Sequence, residues 1–278
     1  MKDQATEFMG LDNIQIVYGK RPKKHEKEYI ELLHYESGES DIDASKVAGP
    51  FSDPWLNVIN AYEPASIPAF DRVLGIDYLR EKIRGKVLDV GAGTCWLTAK
   101  TSLLPTVDQV FALDLSEKFM CTTGIRILKY FNAELRKITF VISDFNEIPL
   151  EEESLDCAFL FATIHHSLSP IRTLQEVARC LKKKGVLMIL ENPCSVIKIR
   201  KGRRKALELS KNVTEIAYTR GELEYMAEVA NIGKVENFTF DILSSRGIKM
   251  VVRKILRHLG VEDGLINPPT YLFVVEKS

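Results

Sequence analysis

The sequence predicts an α/β protein built on a doubly wound, mostly parallel sheet. From Tyr78 onward, short apolar or β-branched runs alternate with longer segments of helical spacing, the pattern of repeated βαβ units. The first run, Val87-Leu88-Asp89-Val90, leads into the glycine-rich turn Gly91-Ala92-Gly93-Thr94. The second run ends on an acidic residue, Asp114, the usual distance along for a ligand-binding unit of this kind.

Taken in order, residues 1–78 show no clean period and are broken by Pro22, Pro50, Pro54, Pro64 and Pro68, so an irregular N-terminal cap is expected there. Residues 79–278 form the expected core. Its sheet has about seven strands: Gly85 to Val90, Gln109 to Leu113, Thr139 to Ser143, Leu155 to Phe161, Val186 to Glu191, Val235 to Asp241 and Tyr271 to Glu276. Helices are expected around Trp96 to Ser102, Lys118 to Asn132, Ile171 to Lys182 and Arg220 to Ala230. Lys182-Lys183-Lys184-Gly185 reads as the close of the third helix, with cations on its last turn and a glycine just beyond. Two stretches read as insertions, at about 194–219 and 242–270, and as the places where specificity would reside.

Composition narrows the function classes. At 278 residues and 45% hydrophobic, the chain can bury a full core without staples. Five cysteines lie scattered with no CxxC pair, which argues against a disulfide framework and a zinc site and predicts no metal. The first ten residues, MKDQATEFMG, lack the apolar region of a signal peptide, and no run approaches the roughly 18 apolar residues of a membrane span. A cytoplasmic protein is expected. The zero net charge hides an asymmetry: residues 161–278 hold 20 Lys and Arg against 12 Asp and Glu, which reads as either internal complementarity or a basic binding face.

Glycines at 91 and 93 let a backbone turn tightly and approach a ligand where a Cβ would forbid it. A plain tight turn explains them as well. Asp114 would accept hydrogen bonds from both ribose hydroxyls of an adenosine ligand, or serve as a charge at a helix N-terminus capped by Ser116. A dinucleotide fingerprint wants a third glycine where Trp96 stands, so a diphosphate would meet an indole, and adenosine without phosphates fits better.

The ordered segments VLDVGAGT, ALDLS, SDFNEIPL, SLDCAFLFATIHH and LKKKGVLMILENP resemble the class I S-adenosylmethionine-dependent methyltransferases, in particular the group acting on small molecules, quinones, sterols and sugars, over roughly residues 79–191. The resemblance implies a Rossmann-like sheet with its last strand antiparallel, S-adenosyl-L-methionine as methyl donor and S-adenosyl-L-homocysteine as product. It also implies that Gly91, Ala92 and Gly93 wrap the methionine part while Asp89 places its amino group. Asp114 would take the ribose hydroxyls, Leu115 would lie on the adenine, Asp144 would accept from the adenine amino group, and the Phe145 backbone would meet a ring nitrogen. Phe161 and Ala162 would floor the site beside the sulfonium. Cys95 stands where the family usually has a third glycine.

His165 and His166 sit where an acceptor should arrive; a histidine there can deprotonate a hydroxyl, or can bond the loop backbone structurally. Glu191, ending the fifth core strand, faces the same crevice. Asn267-Pro268-Pro269-Thr270-Tyr271 imitates a motif of nucleic-acid amino methyltransferases, but it precedes the last strand and carries an extra threonine, so it reads as a loop. Lys198, Arg200, Lys201, Arg203, Arg204 and Lys205 crowd the first insertion, and a basic amphipathic pattern spans Ile248 to Leu259 in the second. Such a pattern can lie on an anionic membrane, grip a phosphorylated substrate or pack on the core. The expectation is a methyltransferase on a small or lipid-linked acceptor, more at oxygen than at nitrogen or carbon, with peripheral membrane contact. The absence of aromatics from Lys198 to Lys205 weakens a nucleic-acid reading. The rivals are a catalytically silent relative used as a binding subunit and a nicotinamide-dependent oxidoreductase.

Overall fold

The computed structural model describes residues 14–21, 42–62, 66–193, 216–240 and 270–278. The basic run Lys198 to Lys205, the pattern from Ile248 to Leu259 and nearly all of both insertions lie outside the described residues. In chain order the strands are β1 (Gln15–Tyr18), β2 (Gly85–Val90), β3 (Val107–Asp114), β4 (Ile138–Ile142), β5 (Leu155–Phe161), β6 (Leu181–Glu191), β7 (Gly233–Phe240) and β8 (Thr270–Lys277). They form one sheet in the order β1-β4-β3-β2-β5-β6-β8-β7. Pairing is parallel from β1 to β6, and β8 runs antiparallel to both β6 and β7, so the last strand has the expected direction.

Burial on both faces explains why the strands read as nearly continuous apolar runs. On one face, Leu88, Val90, Ala158, Leu160, Leu187, Ile189, Phe273 and Val275 meet the helices α7 (Pro170–Cys180) and α8 (Arg220–Val229). On the other, the alternate residues Val87, Phe159, Met188 and Leu272 pack under α1 (Pro54–Tyr62), α2 (Ser66–Leu74), α3 (Asp77–Lys82) and α4 (Trp96–Ser102). Phe70 lies wholly buried at this interface. Its ring is edge-on to Trp96, Phe159 and Phe161 at 6.1, 5.8 and 6.1 Å.

After β3, α5 (Glu117–Phe119), a π-helical stretch (Met120–Gly124) and α6 (Ile125–Tyr130) form one continuous helix. Ser116 caps it by accepting from the Phe119 N–H. The π turn brings Gly124 against Cys95, whose Sγ would stand 2.9 Å from any Cβ added there. Cys95 is fully buried on this side, clustered with Ala99, Met120 and Ile125, and its thiol donates to the Gly93 carbonyl at 3.7 Å.

Two local expectations are corrected. Lys182 to Gly185 does not close a helix: α7 ends at Cys180, and β6 begins at Leu181, opposite Leu155. The pairing then jumps to Cys157 with Val186, so the lysines bulge outward, with Lys184 in the left-handed region at φ 61°. Lys182 turns back to Asp156 at 2.7 Å, and that carboxylate also accepts from the Lys86 N–H. The second correction concerns residues 15–18, inside the stretch expected to be an irregular cap. They add an eighth strand alongside β4, with Gln15 opposite Thr139 and Tyr18 opposite Ile142.

Among the described residues, no helix is long and apolar enough to cross a membrane, and no group of three His, Cys, Asp or Glu side chains could hold a metal ion.

Candidate cofactor and acceptor site

Strand order reverses direction at β2, with β3 on one side and β5 on the other, so the carboxyl ends of β2, β3, β4, β5 and β6 open onto one crevice. Of the sequence-predicted residues, Asp89, Gly91, Ala92, Gly93, Asp114, Leu115, Asp144, Phe145, Ala162, His165 and His166 all lie on these strand ends or in the turns that leave them. Phe161 ends β5, but its ring belongs to the buried aromatic cluster with Phe70 and Phe159.

The glycine turn is held from two directions. Gly91 (φ +71°) lies so close to Thr163 that an added Cβ would stand 2.4 Å from Cγ2, which makes it a structural necessity of the β2–β5 contact. Gly93 (φ +48°) is different, because an added Cβ would meet nothing nearer than the Gly91 carbonyl at 3.9 Å; the space beside it is open. Cys95 also sits in the left-handed region at φ 61° and starts α4. Trp96 is 1% exposed and faces the core, so its indole does not screen the crevice against phosphates as expected from the sequence. It fills space that the third glycine of a dinucleotide fingerprint leaves for close helix–strand packing.

Two carboxylates flank the turn. Asp114 is half-buried; its Oδ2 accepts from the Gly93 N–H and its Oδ1 from the Ser116 N–H, each at 3.0 Å. The carboxylate thereby ties the glycine turn to the helix that follows β3. Burial lifts its pKa above the usual carboxylate range, while the Ser116 and Gly93 N–H groups and the charge of His166 pull it back. Asp89 is 3% exposed and accepts a 2.6 Å hydrogen bond from the Thr98 hydroxyl. Burial pushes its carboxyl up to about 7, against the opposing Thr98 bonds.

A carboxyl raised in the folded state destabilises the fold as it ionises. The neutral acid is fully tolerated below the unfolded value of 3.8, and stability is lost as pH rises from there toward about 7. Asp89→Asn, which keeps an acceptor for Thr98, is therefore expected to raise the melting temperature of the ligand-free protein at pH 8 by roughly 3–6 °C. Differential scanning calorimetry at pH 8 and pH 5 checks this, since the gain should shrink at the lower pH.

On the next strand end, Asp144 Oδ1 accepts from the backbone and side-chain nitrogens of Asn146 at 2.8 and 3.0 Å. The Asp144 N–H donates to the Lys20 carbonyl at 2.8 Å. Leu115 is 9% exposed, and its carbonyl accepts from the Arg21 guanidinium.

Across the crevice, Ile164–His166 form a single 3-10 turn after β5. Glu191, 7% exposed at the end of β6, grips this turn: Oε1 accepts from the Ile164 N–H at 3.1 Å, and His165 Nδ1 lies 3.2 and 3.1 Å from Oε1 and Oε2. The His165 carbonyl accepts from the Ile216 N–H, and the two imidazole rings lie 4.3 Å apart between centroids, tilted by 43° to each other. The Glu191 grip and the Lys20 and Arg21 contacts escape sequence reasoning. A strand-ending glutamate signals only that it faces the crevice, and residues 15–21 lie outside every recognisable motif.

The site suits an uncharged adenosine with a charged amino-acid tail. Asp114 has both oxygens oriented by backbone donors, Asp89 is a buried acid with one hydroxyl partner, the space beside Gly93 is open, and the buried Thr94 hydroxyl in the same turn has no hydrogen-bond partner among the described residues.

Comparison with known proteins finds similarity to methyltransferases over part of the chain. Residues 88–189 match the model described as methyltransferase domain. An uncharacterised methyltransferase of Mycobacterium tuberculosis is 34% identical over 117 residues, which are 42% of this chain and 44% of the relative. The chain thus spans less than half the length of the curated relatives it matches. Among solved structures, a candidate sarcosine dimethylglycine methyltransferase from Galdieria sulphuraria is similar with a TM-score of 0.58 at 18% identity, covering 91% of this chain and 98% of that one. A phosphoethanolamine N-methyltransferase of Haemonchus contortus in complex with S-adenosyl-L-methionine is similar with a TM-score of 0.53 at 16% identity, covering 82% and 60%.

Proposed function

We propose, from the match of residues 88–189 to a methyltransferase domain, that the protein is an S-adenosylmethionine-dependent methyltransferase acting on a small or lipid-linked acceptor, with oxygen as the acceptor atom. The observation that carries the reading is Asp114, whose two oxygens are each aimed by a backbone N–H across the open side of the glycine turn.

In this reading S-adenosylmethionine supplies an electrophilic methyl group on a sulfonium. Asp114 accepts from the two ribose hydroxyls with the lone pairs that Gly93 and Ser116 leave over. Asp89, as carboxylate, pairs with the ammonium of the methionine end, and Gly91 to Gly93 let that end approach the backbone. Leu115, Asp144 and the Phe145 backbone bound the adenine, and Ala162 borders the sulfonium. Displacement at a methyl group is in line, so holding the acceptor in place supplies much of the rate. The remaining task is a proton: His165, donating Nδ1–H to Glu191, presents its other ring nitrogen as the acceptor of a hydroxyl proton.

The test is calorimetric titration with S-adenosylmethionine, S-adenosylhomocysteine and NAD, followed by incubation of the protein and methyl-labelled cofactor with small-molecule and lipid extracts. Micromolar binding of the first two, none of NAD, and label transferred to an extract are expected. Binding without transfer to any extract would instead favour a silent relative.

The pH dependence follows from Asp89. Its carboxyl titrates near 7 when buried alone, and an ammonium partner favours the ionised form, so binding demands deprotonation below that value. Affinity for S-adenosylhomocysteine is expected to weaken roughly eightfold from pH 7.5 to pH 6. Titrations across that range in a single ionic strength decide it.

A further inference from the structure

The segment that follows β1 does more than extend the sheet. Gly19 donates to the Ile142 carbonyl, the residue that ends β4, at 3.0 Å. The Lys20 carbonyl then accepts from the Asp144 N–H at 2.8 Å and from the Ser143 hydroxyl at 3.2 Å, while its ammonium pairs with Glu147 at 3.0 Å. Arg21 reaches the other way: its guanidinium donates to the Leu115 carbonyl at 3.4 Å and lies 3.5 Å from the Glu117 carboxylate. Tyr18 adds a hydrogen bond to the same Glu117.

Three consecutive residues thus bridge two loops: 114–117 after β3 and 143–147 after β4. These are the loops between which the adenine lies if the cofactor reading above is right. The approach is close as well as bonded. A Cβ at Gly19 would stand 2.4 Å from Ser143 Oγ and 2.7 Å from Pro149, so the strap can sit in this position only with a glycine there. None of the strap residues Tyr18 to Arg21 falls within the matched domain, 88–189.

We propose that Tyr18 to Arg21 form the outer wall of the nucleoside half of the cofactor site, fixing the spacing of the Leu115 and Asp144 loops around the adenine, with Lys20 and Arg21 as positioning residues. The inference rests on the cofactor reading given under the proposed function. It locates a determinant of nucleoside affinity some seventy residues before the glycine turn, in a part of the chain that the domain itself does not contain. Loops already held apart at the ligand's width bind without the ordering cost that loose loops incur.

The experiment uses the full chain and two variants, Gly19→Val, which levers the strap away from Ser143, and Arg21→Ala, which removes the contacts to Leu115 and Glu117. Titration with S-adenosylhomocysteine and, separately, with adenosine reports the whole ligand and its nucleoside half. The expected result is a loss of about tenfold for Gly19→Val and about threefold for Arg21→Ala, by the same factor for both ligands, with Arg21→Lys recovering part of it. Should Gly19→Val fail to fold, Arg21→Ala and Arg21→Lys carry the test. Unchanged affinity for both ligands in Arg21→Ala and Gly19→Val, with only the melting temperature lowered, would overturn the proposal and leave the strap as sheet packing. Failure of the wild-type protein to bind S-adenosylhomocysteine or adenosine would overturn the cofactor reading beneath it, an outcome distinct from normal wild-type binding with insensitive variants.

Discussion

Asp114→Ala is expected to weaken S-adenosylhomocysteine binding about a hundredfold or more. Two charge-assisted hydrogen bonds to ribose hydroxyls are lost, each contributing about 1.5–3 kcal/mol. The Gly93 and Ser116 N–H groups lose their acceptor at the same time, which loosens the turn that the methionine end must approach. Asp114→Asn should do little better, for a geometric reason. Both carboxylate oxygens already accept from backbone N–H groups, so an amide places its NH₂ against one of two donors whichever way it is turned. Calorimetric titration of both variants, with melts to show that they are folded, measures the effect. Asp114→Asn binding at near wild-type affinity would mean that the carboxylate merely staples the turn to its helix.

The second large effect is expected at the histidine turn. His165→Ala should lower turnover about a hundredfold while affinity for S-adenosylhomocysteine stays within about twofold, because general base catalysis of this kind contributes roughly 10²–10⁴-fold. Added imidazole should restore part of the rate, as a cavity at a proton acceptor can admit a soluble base and a cavity at a structural position gains nothing from one. Glu191→Gln keeps an acceptor for the Ile164 N–H but removes the carboxylate from His165, so it should retain the turn and still lose about tenfold in rate. The purely structural role of the His pair predicts the opposite combination: a lower melting temperature, the normal rate for each folded molecule, and no response to imidazole. The rate is read as S-adenosylhomocysteine released with the acceptor identified by labelling.

Legibility in the sequence followed burial. Strands β2, β3, β5 and β6 are enclosed on both faces, so their apolar runs stand out, and the turns between them carry residues whose backbone demands are narrow, such as Gly91 beside Thr163. The four residues of β1 do not stand out, because an edge strand of Gln15, Ile16, Val17 and Tyr18 buries too little to impose a pattern. What fixes it is pairing to β4, 124 residues further on in register, and no local signal reports that. Lys182 to Gly185 misled for the converse reason. Cations followed by a glycine have the composition of a helix end, whereas Leu181 is already committed to its β-pair with Leu155 and the lysines have nowhere to go but out. At the site, Asp89 and Asp114 were legible as strand-ending acids, while their partners Thr98 and Ser116, and the hold of Glu191 on His165, depend on distances that only the fold sets.

Because β8 lies between β6 and β7, the order of assembly is constrained by the order of synthesis. When β7 emerges, its partner among the described strands is still to come: the separations to β8 run from 30 for the pair Phe240 with Thr270 to 44 for Gly233 with Lys277. Until then β6 presents an open, apolar edge through Leu187 to Leu190, while α8 packs against α7 and β7 as well as β8. The final insertion is thus a zip between two waiting elements, and it closes long sequence separations at the end of folding rather than at its start. A chain stalled short of Thr270 loses two strands rather than one, and the edge of β6 that it leaves exposed is the surface through which such fragments would associate.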